Sequence, residues 1–99
     1  MIRMSNYRNK KILQHAKGQH CTLNGPNCNY NPDTVVFCHL NNSWAGKGLG
    51  LKAHDFAGFF GCSACHYDYD NDPIGIPAQW VLRAVIKTLE NLFKEGIIK

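Results

Sequence analysis

Acidic residues are missing from the first third of this 99-residue chain: none precedes Asp33. Arg3, Arg8, Lys10, Lys11 and Lys17 all fall in that acid-free segment, while Asp68, Asp70 and Asp72 cluster much later in a chain of net charge +4. A basic arm beside a small acidic cluster suits a polyanionic partner and a divalent cation. Long apolar runs are also missing. Nothing approaches the roughly 18 residues of a membrane span, which excludes a membrane partner of that kind. The opening stretch M-I-R-M-S-N-Y-R-N-K-K has no apolar centre, so it does not read as a secretory signal. The expected compartment is the cytoplasm, where disulfides are rare. The five cysteines therefore read as metal ligands plus one spare. Neither G-x-x-x-x-G-K-[ST] nor G-x-G-x-x-G occurs, so nucleotide-phosphate loops of those kinds are excluded.

A chain of this length makes one domain with a modest core. Lys10 to Lys17 reads as a short helix stopped by Gly18. In C21-T-L-N-G-P-N-C28 two cysteines flank a strong turn signal. Asn31-Pro32-Asp33 is a second turn. Thr34 to Phe37 is β-branched and aromatic, reads as a strand, and delivers Cys38 and His39 at its end. Residues 40–53 form a glycine-rich loop in which Lys47 and Lys52 could meet phosphates and Trp44 could stack or pack. Asp55 introduces F56-A-G-F-F-G61, read as a second strand. Then C62-S-A-C-H66 leads into Y-D-Y-D70. After a loop with two prolines, apolar residues recur at helical spacing from Trp80 to Phe93, with Pro77 in the first turn and Gly96 as the stop.

The motif C62-S-A-C-H66 has several chemistries. Haem attachment needs a second axial ligand, but both methionines lie at positions 1 and 4 and no histidine follows His66. A thioredoxin-like dithiol needs a βαβ context, and the order here is strand, loop, strand, helix. Zinc explains more. Cys62 and Cys65 supply two thiolates at knuckle spacing, and Cys21 and Cys28 two more, giving a closed tetrahedral structural site. Cys38 is left as a small buried residue, although His20 or Cys38 could replace one of the four. His66 is then free, and Asp70 at i+4 shares its helix face, a reasonable divalent-metal pair.

A strand ending in His39, a long loop, a polar residue, a second strand, a zinc knuckle and a helix carrying a histidine follow one another in the order of a ββα-metal, or HNH, nuclease finger. Through C21-x6-C28, C38-H39-L40, the isolated Asp55 and C62-S-A-C-H66-x3-D70, the chain resembles the YbcO family of small prophage nucleases. It is more distantly similar to the nuclease domain of the phage recombination-enhancement endonuclease Ref. The resemblance implies an α+β fold with a zinc-stabilised HNH-like ββα-metal core and a flanking C-terminal helix. Residues 1–17 would be a basic arm and 18–99 the nuclease domain. His39 would be the general base, Asp55 its orienting partner, and His66 and Asp70 would hold a catalytic Mg²⁺ or Mn²⁺. Cys21, Cys28, Cys62 and Cys65 would hold the structural Zn²⁺. Two departures stand out: Cys38 occupies a place where HNH motifs often carry a metal ligand, and Asp55 lies further from the knuckle than the usual asparagine, so that His54 could stand in its place instead.

The expected activity is phosphodiester hydrolysis of DNA in a phage or prophage setting. Arg8, Lys10, Lys11, Lys17, Lys47 and Lys52 are the expected phosphate contacts, and phage or host recombination proteins are candidate partners. Two rivals remain on the sequence: a non-catalytic zinc-stabilised nucleic-acid-binding module, and an interaction knuckle inserting Trp44 and Phe59 into a protein partner.

Overall fold

The computed structural model of the chain describes residues 6–48 and 50–98; Arg3, in the basic arm, lies outside the described residues. Among the described residues three α-helices surround a two-stranded antiparallel sheet, an α+β arrangement. They are α1 (Lys10–Ala16), β1 (Val36–His39), β2 (Gly58–Gly61), α2 (Ser63–Asn71) and α3 (Ala78–Lys94). No helix among the described residues is long and apolar enough to cross a membrane.

Local chemistry sets the helix ends. The Asn9 side chain caps α1 by accepting from the Lys11 N–H at 3.0 Å, which satisfies one of the first-turn donors. Gly18 follows α1 in the left-handed region at φ 89°. Pro77 stands one position before α3, at its N-cap. Beyond the other end Gly96 adopts φ 73°, and the Ile97 N–H donates back to the Leu92 carbonyl at 2.9 Å, a closure that needs a left-handed residue.

The strands differ from the sequence expectation at their ends. Residues Pro32–Thr34 form a 3₁₀ turn, with the Asn31 side chain accepting from the Asp33 N–H, so β1 starts only at Val36 and runs through His39. Phe56 and Ala57 belong to a turn, because the Ala57 N–H returns to the His54 carbonyl at 2.9 Å; β2 therefore starts at Gly58. In the register, Phe37 faces Phe60, Cys38 faces Phe59 and His39 faces Gly58. Gly58 is required here: a Cβ would strike the Cys38 carbonyl and the Phe37 ring.

Two strands alone are marginal in water, and the outer edge of β2 is covered by threonines. The Phe60 N–H donates to Thr88 Oγ1 at 3.0 Å, and the Phe60 carbonyl accepts from both the N–H (2.8 Å) and the hydroxyl (2.9 Å) of Thr22. The two hydroxyls lie 3.0 Å apart. Thr88 is fully buried on the inner face of α3, between Ala84 and Leu92. One face of the sheet meets α2 through an edge-on contact of Phe59 with Tyr69, ring centroids 5.2 Å apart. Ile12 and Ala16 of α1 are fully buried in the same core. Phe59 is fully buried too, which removes it as a residue inserted into a partner.

Replacing Thr88 with valine keeps the shape but strands the buried Phe60 N–H. We expect a loss of about 1–3 kcal/mol, read as a lower urea midpoint with an unchanged slope.

Candidate functional site

Four sulfurs converge beside the start of α2. One Sγ each from Cys21, Cys28, Cys62 and Cys65 lies within 4.8 Å of the others, and no other group of three or more His, Cys, Asp or Glu donors gathers this way among the described residues. The separation of Cys28 Sγ from Cys62 Sγ is 3.7 Å. Tetrahedral Zn–S bonds of about 2.3 Å require sulfurs about 3.8 Å apart, so the cluster can hold a metal ion such as zinc. Backbone amides already point at it. Cys62 Sγ accepts from the Cys65 N–H at 3.4 Å, which caps α2, and from the Asn29 N–H at 3.5 Å; Cys21 Sγ accepts from the Asn24 N–H at 3.5 Å. Burial alone would raise the Cys62 thiol, but the Cys65 and Asn29 amides together with hydrogen bonds from the Cys65 and Cys28 thiols outweigh it and bring it down to about 7. Burial pushes Cys28 up to about 11 and Cys65 further still. Four thiolates this close cannot all ionise without a cation among them. His20 is exposed, and Cys38 sits in the core with its thiol pushed up by burial; neither joins the cluster.

A second constellation surrounds Asp55, 2% exposed. Its Oδ1 lies 2.8 Å from His39 Nε2 and 3.3 Å from an Arg8 guanidinium nitrogen, while Oδ2 accepts from the Asn9 N–H at 2.7 Å. The strand register brings this about: β2 begins three residues after Asp55, and its first residue pairs with His39. Burial alone would raise the Asp55 carboxyl, but the His39 and Asn9 hydrogen bonds and the Arg8 charge hold it below its usual 3.8. A carboxylate only accepts, so His39 donates Nε2–H to it, and in the neutral ring the lone pair then sits on Nδ1. His54 does not take this place. Its Nδ1 accepts from the Tyr7 N–H at 3.0 Å, and its ring stacks on Phe56 at 4.8 Å.

His66 and Asp70 share a face of α2, with Nε2 and Oδ2 3.1 Å apart and both side chains nearly half exposed. They line a hollow of about 230 Å³ together with His39, Lys47, Lys52 and Asn41. Phe37 and His39 lie on one sheet face and α2 packs Phe59 on the other, so the hollow wraps around the rim of the sheet. Of the other predicted contacts, Lys10, Lys11 and Lys17 are exposed on or beside α1 and do not line it. The Arg8 guanidinium is engaged: besides Asp55 it donates to the carbonyls of Ala53 (2.6 Å) and Lys52 (2.8 Å). Sequence reasoning missed this bracing role of Arg8 and Asn9. The one local signal was Asn9 standing just before a helix. It also missed Tyr69, whose hydroxyl accepts from the Asn41 N–H at 3.2 Å.

The family model described as "Putative nuclease YbcO" matches residues 10–97. Among solved structures, "Structure of a putative bacteriophage protein from Escherichia coli str. K-12 substr. MG1655" is similar with a TM-score of 0.62 and 29% identity, over 85% of this chain and 98% of that one. A search of the curated proteins finds no match.

Metal analysis of the purified chain should find about one bound ion. Cys65→Ser should lose it and Cys38→Ser keep it, and ion retention should fall as pH drops, because protons compete for the raised thiols. Asp55→Asn should cost about 1–3 kcal/mol at neutral pH. The Asp55 carboxyl is depressed on folding, so its contribution is complete above 3.8 and disappears as pH falls from there through the folded value. The stability gap between wild type and D55N, measured in the same buffers, should close over that acid range.

Proposed function

The chain belongs to the YbcO family, and on that premise we propose that it is a metal-dependent DNA endonuclease with an HNH-like ββα core and a structural zinc. The observation that carries this reading is the meeting, at one hollow, of a histidine braced by a buried carboxylate with a second His–Asp pair and two lysines. A structural role asks for none of that convergence.

His39 is the general base. Nδ1 accepts a proton from the attacking water as the new O–P bond forms and the bridging P–O bond breaks. The leaving oxygen takes its proton from solvent, and His39 later returns its own to solvent. Asp55 keeps the ring in the tautomer with the lone pair on Nδ1 and offsets the charge the ring gains, as the third member of a catalytic triad does. Arg8 and the Asn9 N–H hold Asp55 and act as positioning groups, so Arg8 is reassigned from phosphate contact to brace. Lys47 and Lys52 hold the negative phosphate, and two donations to the Lys52 carbonyl, from Asn6 at 2.8 Å and Arg8, fix that backbone. His66 and Asp70 are the residues that would hold a divalent cation, with the His66–Asp70 hydrogen bond given up to it. Two exposed protein ligands leave most of the coordination sphere to water and phosphate, as Mg²⁺ prefers. Such a cation supplies positive charge at the scissile phosphate and leaving oxygen.

The test is nicking of supercoiled DNA and cleavage of single-stranded DNA with added Mg²⁺ or Mn²⁺, at equal zinc content. His39→Ala should lower the rate by about 10²–10⁴-fold. Asp55→Asn should give an intermediate loss. Equal cleavage by wild type and H39A would sink the assignment of the base. No cleavage by a zinc-loaded wild type would leave a nucleic-acid-binding module.

A further inference from the structure

A second and larger hollow, about 540 Å³, adjoins the candidate active site. The two share Leu40 and Asn41 as a common wall. Its remaining lining is mostly apolar: Ile76 forms one part and Val81, Leu82 and Val85 of α3 another, with Trp44 at the rim. Trp44 is 76% exposed and Leu82 62%, an unusual expense of apolar surface for a small domain. Its size falls in the roughly 300–1,000 Å³ range of sites that take small aromatic or drug-sized groups.

The indole is not carried on a loose loop. Ser43–Ala45 form a 3₁₀ turn closed by Gly46 at φ 95°. The Gly46 carbonyl accepts from the Asn6 side chain at 2.7 Å, and the Ala45 carbonyl accepts from the His54 N–H at 3.0 Å. His54 is itself held by the Tyr7 N–H. A Cβ at position 46 would press on the His54 ring at 2.9 Å. Across the hollow, Tyr69 fixes the Asn41 backbone. Asn41 and Asn42 are exposed and are the amide-bearing residues of the lining. Thus a flat aromatic face and amide groups are placed in advance.

We propose that this groove receives an unpaired nucleobase of the substrate strand, stacked on Trp44, next to the phosphate held in the adjoining hollow. The proposal rests on the nuclease reading and narrows its substrate to single-stranded or locally opened DNA. The common wall supplies the argument. Base and phosphate of one nucleotide are joined through a single sugar, so a strand whose phosphate lies against Lys47 and Lys52 can lay the neighbouring base over Leu40. The lysines supply charge complementarity on one side and the apolar groove a stacking platform on the other, the pairing used by proteins that bind single strands. A base inside a duplex cannot enter such a groove without leaving its stack.

The test uses the full zinc-loaded chain carrying His39→Ala, so that nothing is cut. Fluorescence anisotropy measures its affinity for a labelled oligothymidine and for an abasic oligomer of the same length and charge. We expect the oligothymidine to bind more tightly. Trp44→Ala should weaken that binding roughly 5- to 100-fold and leave abasic binding unchanged, while Trp44→Phe should restore most of the loss. A Trp80→Phe background lets quenching of Trp44 report stacking directly. Equal affinity of wild type for the two oligomers, or equal weakening of both by W44A, would overturn the groove. So would an unquenched Trp44 in a chain that sediments as a dimer through this face, which would give the groove to a second copy. The nuclease reading is scored separately, by cleavage with His39 intact. Cleavage without base dependence defeats the groove alone, and base-dependent binding without cleavage defeats the nuclease alone.

Discussion

Four sulfurs held within 4.8 Å of one another bring the loop before β1 against the start of α2, and the rest of the structure is arranged around that junction. Cys21 and Cys28 come from a loop with little regular structure, and Cys62 and Cys65 from the first turn of α2. An ion bound there would join the two. Without one, burial keeps the Cys28 and Cys65 thiols protonated, and the loop lacks that tie to the helix. Such a tie is worth on the order of 10 kcal/mol in small zinc domains, as large as the whole stability of many domains. Cys62 both caps α2 and belongs to the cluster, so a metal held there would share one atom with the start of the helix. Thr22, next to Cys21, bonds the outer edge of β2, which passes the same constraint to the sheet and through Thr88 to α3.

Asp55 plays a comparable part at the other end of the sheet. Its backbone N–H bonds Tyr7, its carboxylate bonds Asn9 and His39, and Arg8 spans it and two carbonyls. The basic segment thereby becomes the outer wall of the site instead of a free arm at these residues. A buried carboxylate is tolerated because every donor around it stabilises its charged form. The same donors make it a fixed partner for the histidine. Fold stability and the orientation of His39 therefore draw on one group.

The two hollows follow from the connection between the strands. A long β1–β2 link must leave the sheet and return, and here it is held by hydrogen bonds that involve Asn6, Tyr7 and His54. That bracing turns a glycine-rich stretch into a platform carrying Lys47 and Lys52 on one side and Trp44 on the other.

Much of this was legible in the residues. Cysteine spacing and the turn-forming N24-G-P-N27 pointed to the four-sulfur cluster, because ligand type and loop length restrict what a tetrahedral site accepts. The i, i+4 spacing of His66 and Asp70 placed them on one helix face by geometry alone, and the apolar periodicity of α3 marked Leu92 and the half-buried Val81, Val85 and Leu89 but not the fully buried Ala84 and Thr88. The strands start later than β-propensity suggests because the Asn31 side-chain turn competes with it at Thr34 and a backbone turn onto the His54 carbonyl competes with it at Phe56. Contacts between residues more than 40 apart carry no local signal. Only the tertiary structure decided that Arg8 braces Asp55, that Thr88 covers β2, and that Phe59 is core while Trp44 stands in solvent. Side-chain type and short-range periodicity are properties of the chain; which donor meets which acceptor across the sheet is a property of the register, and that is settled only when the strands pair.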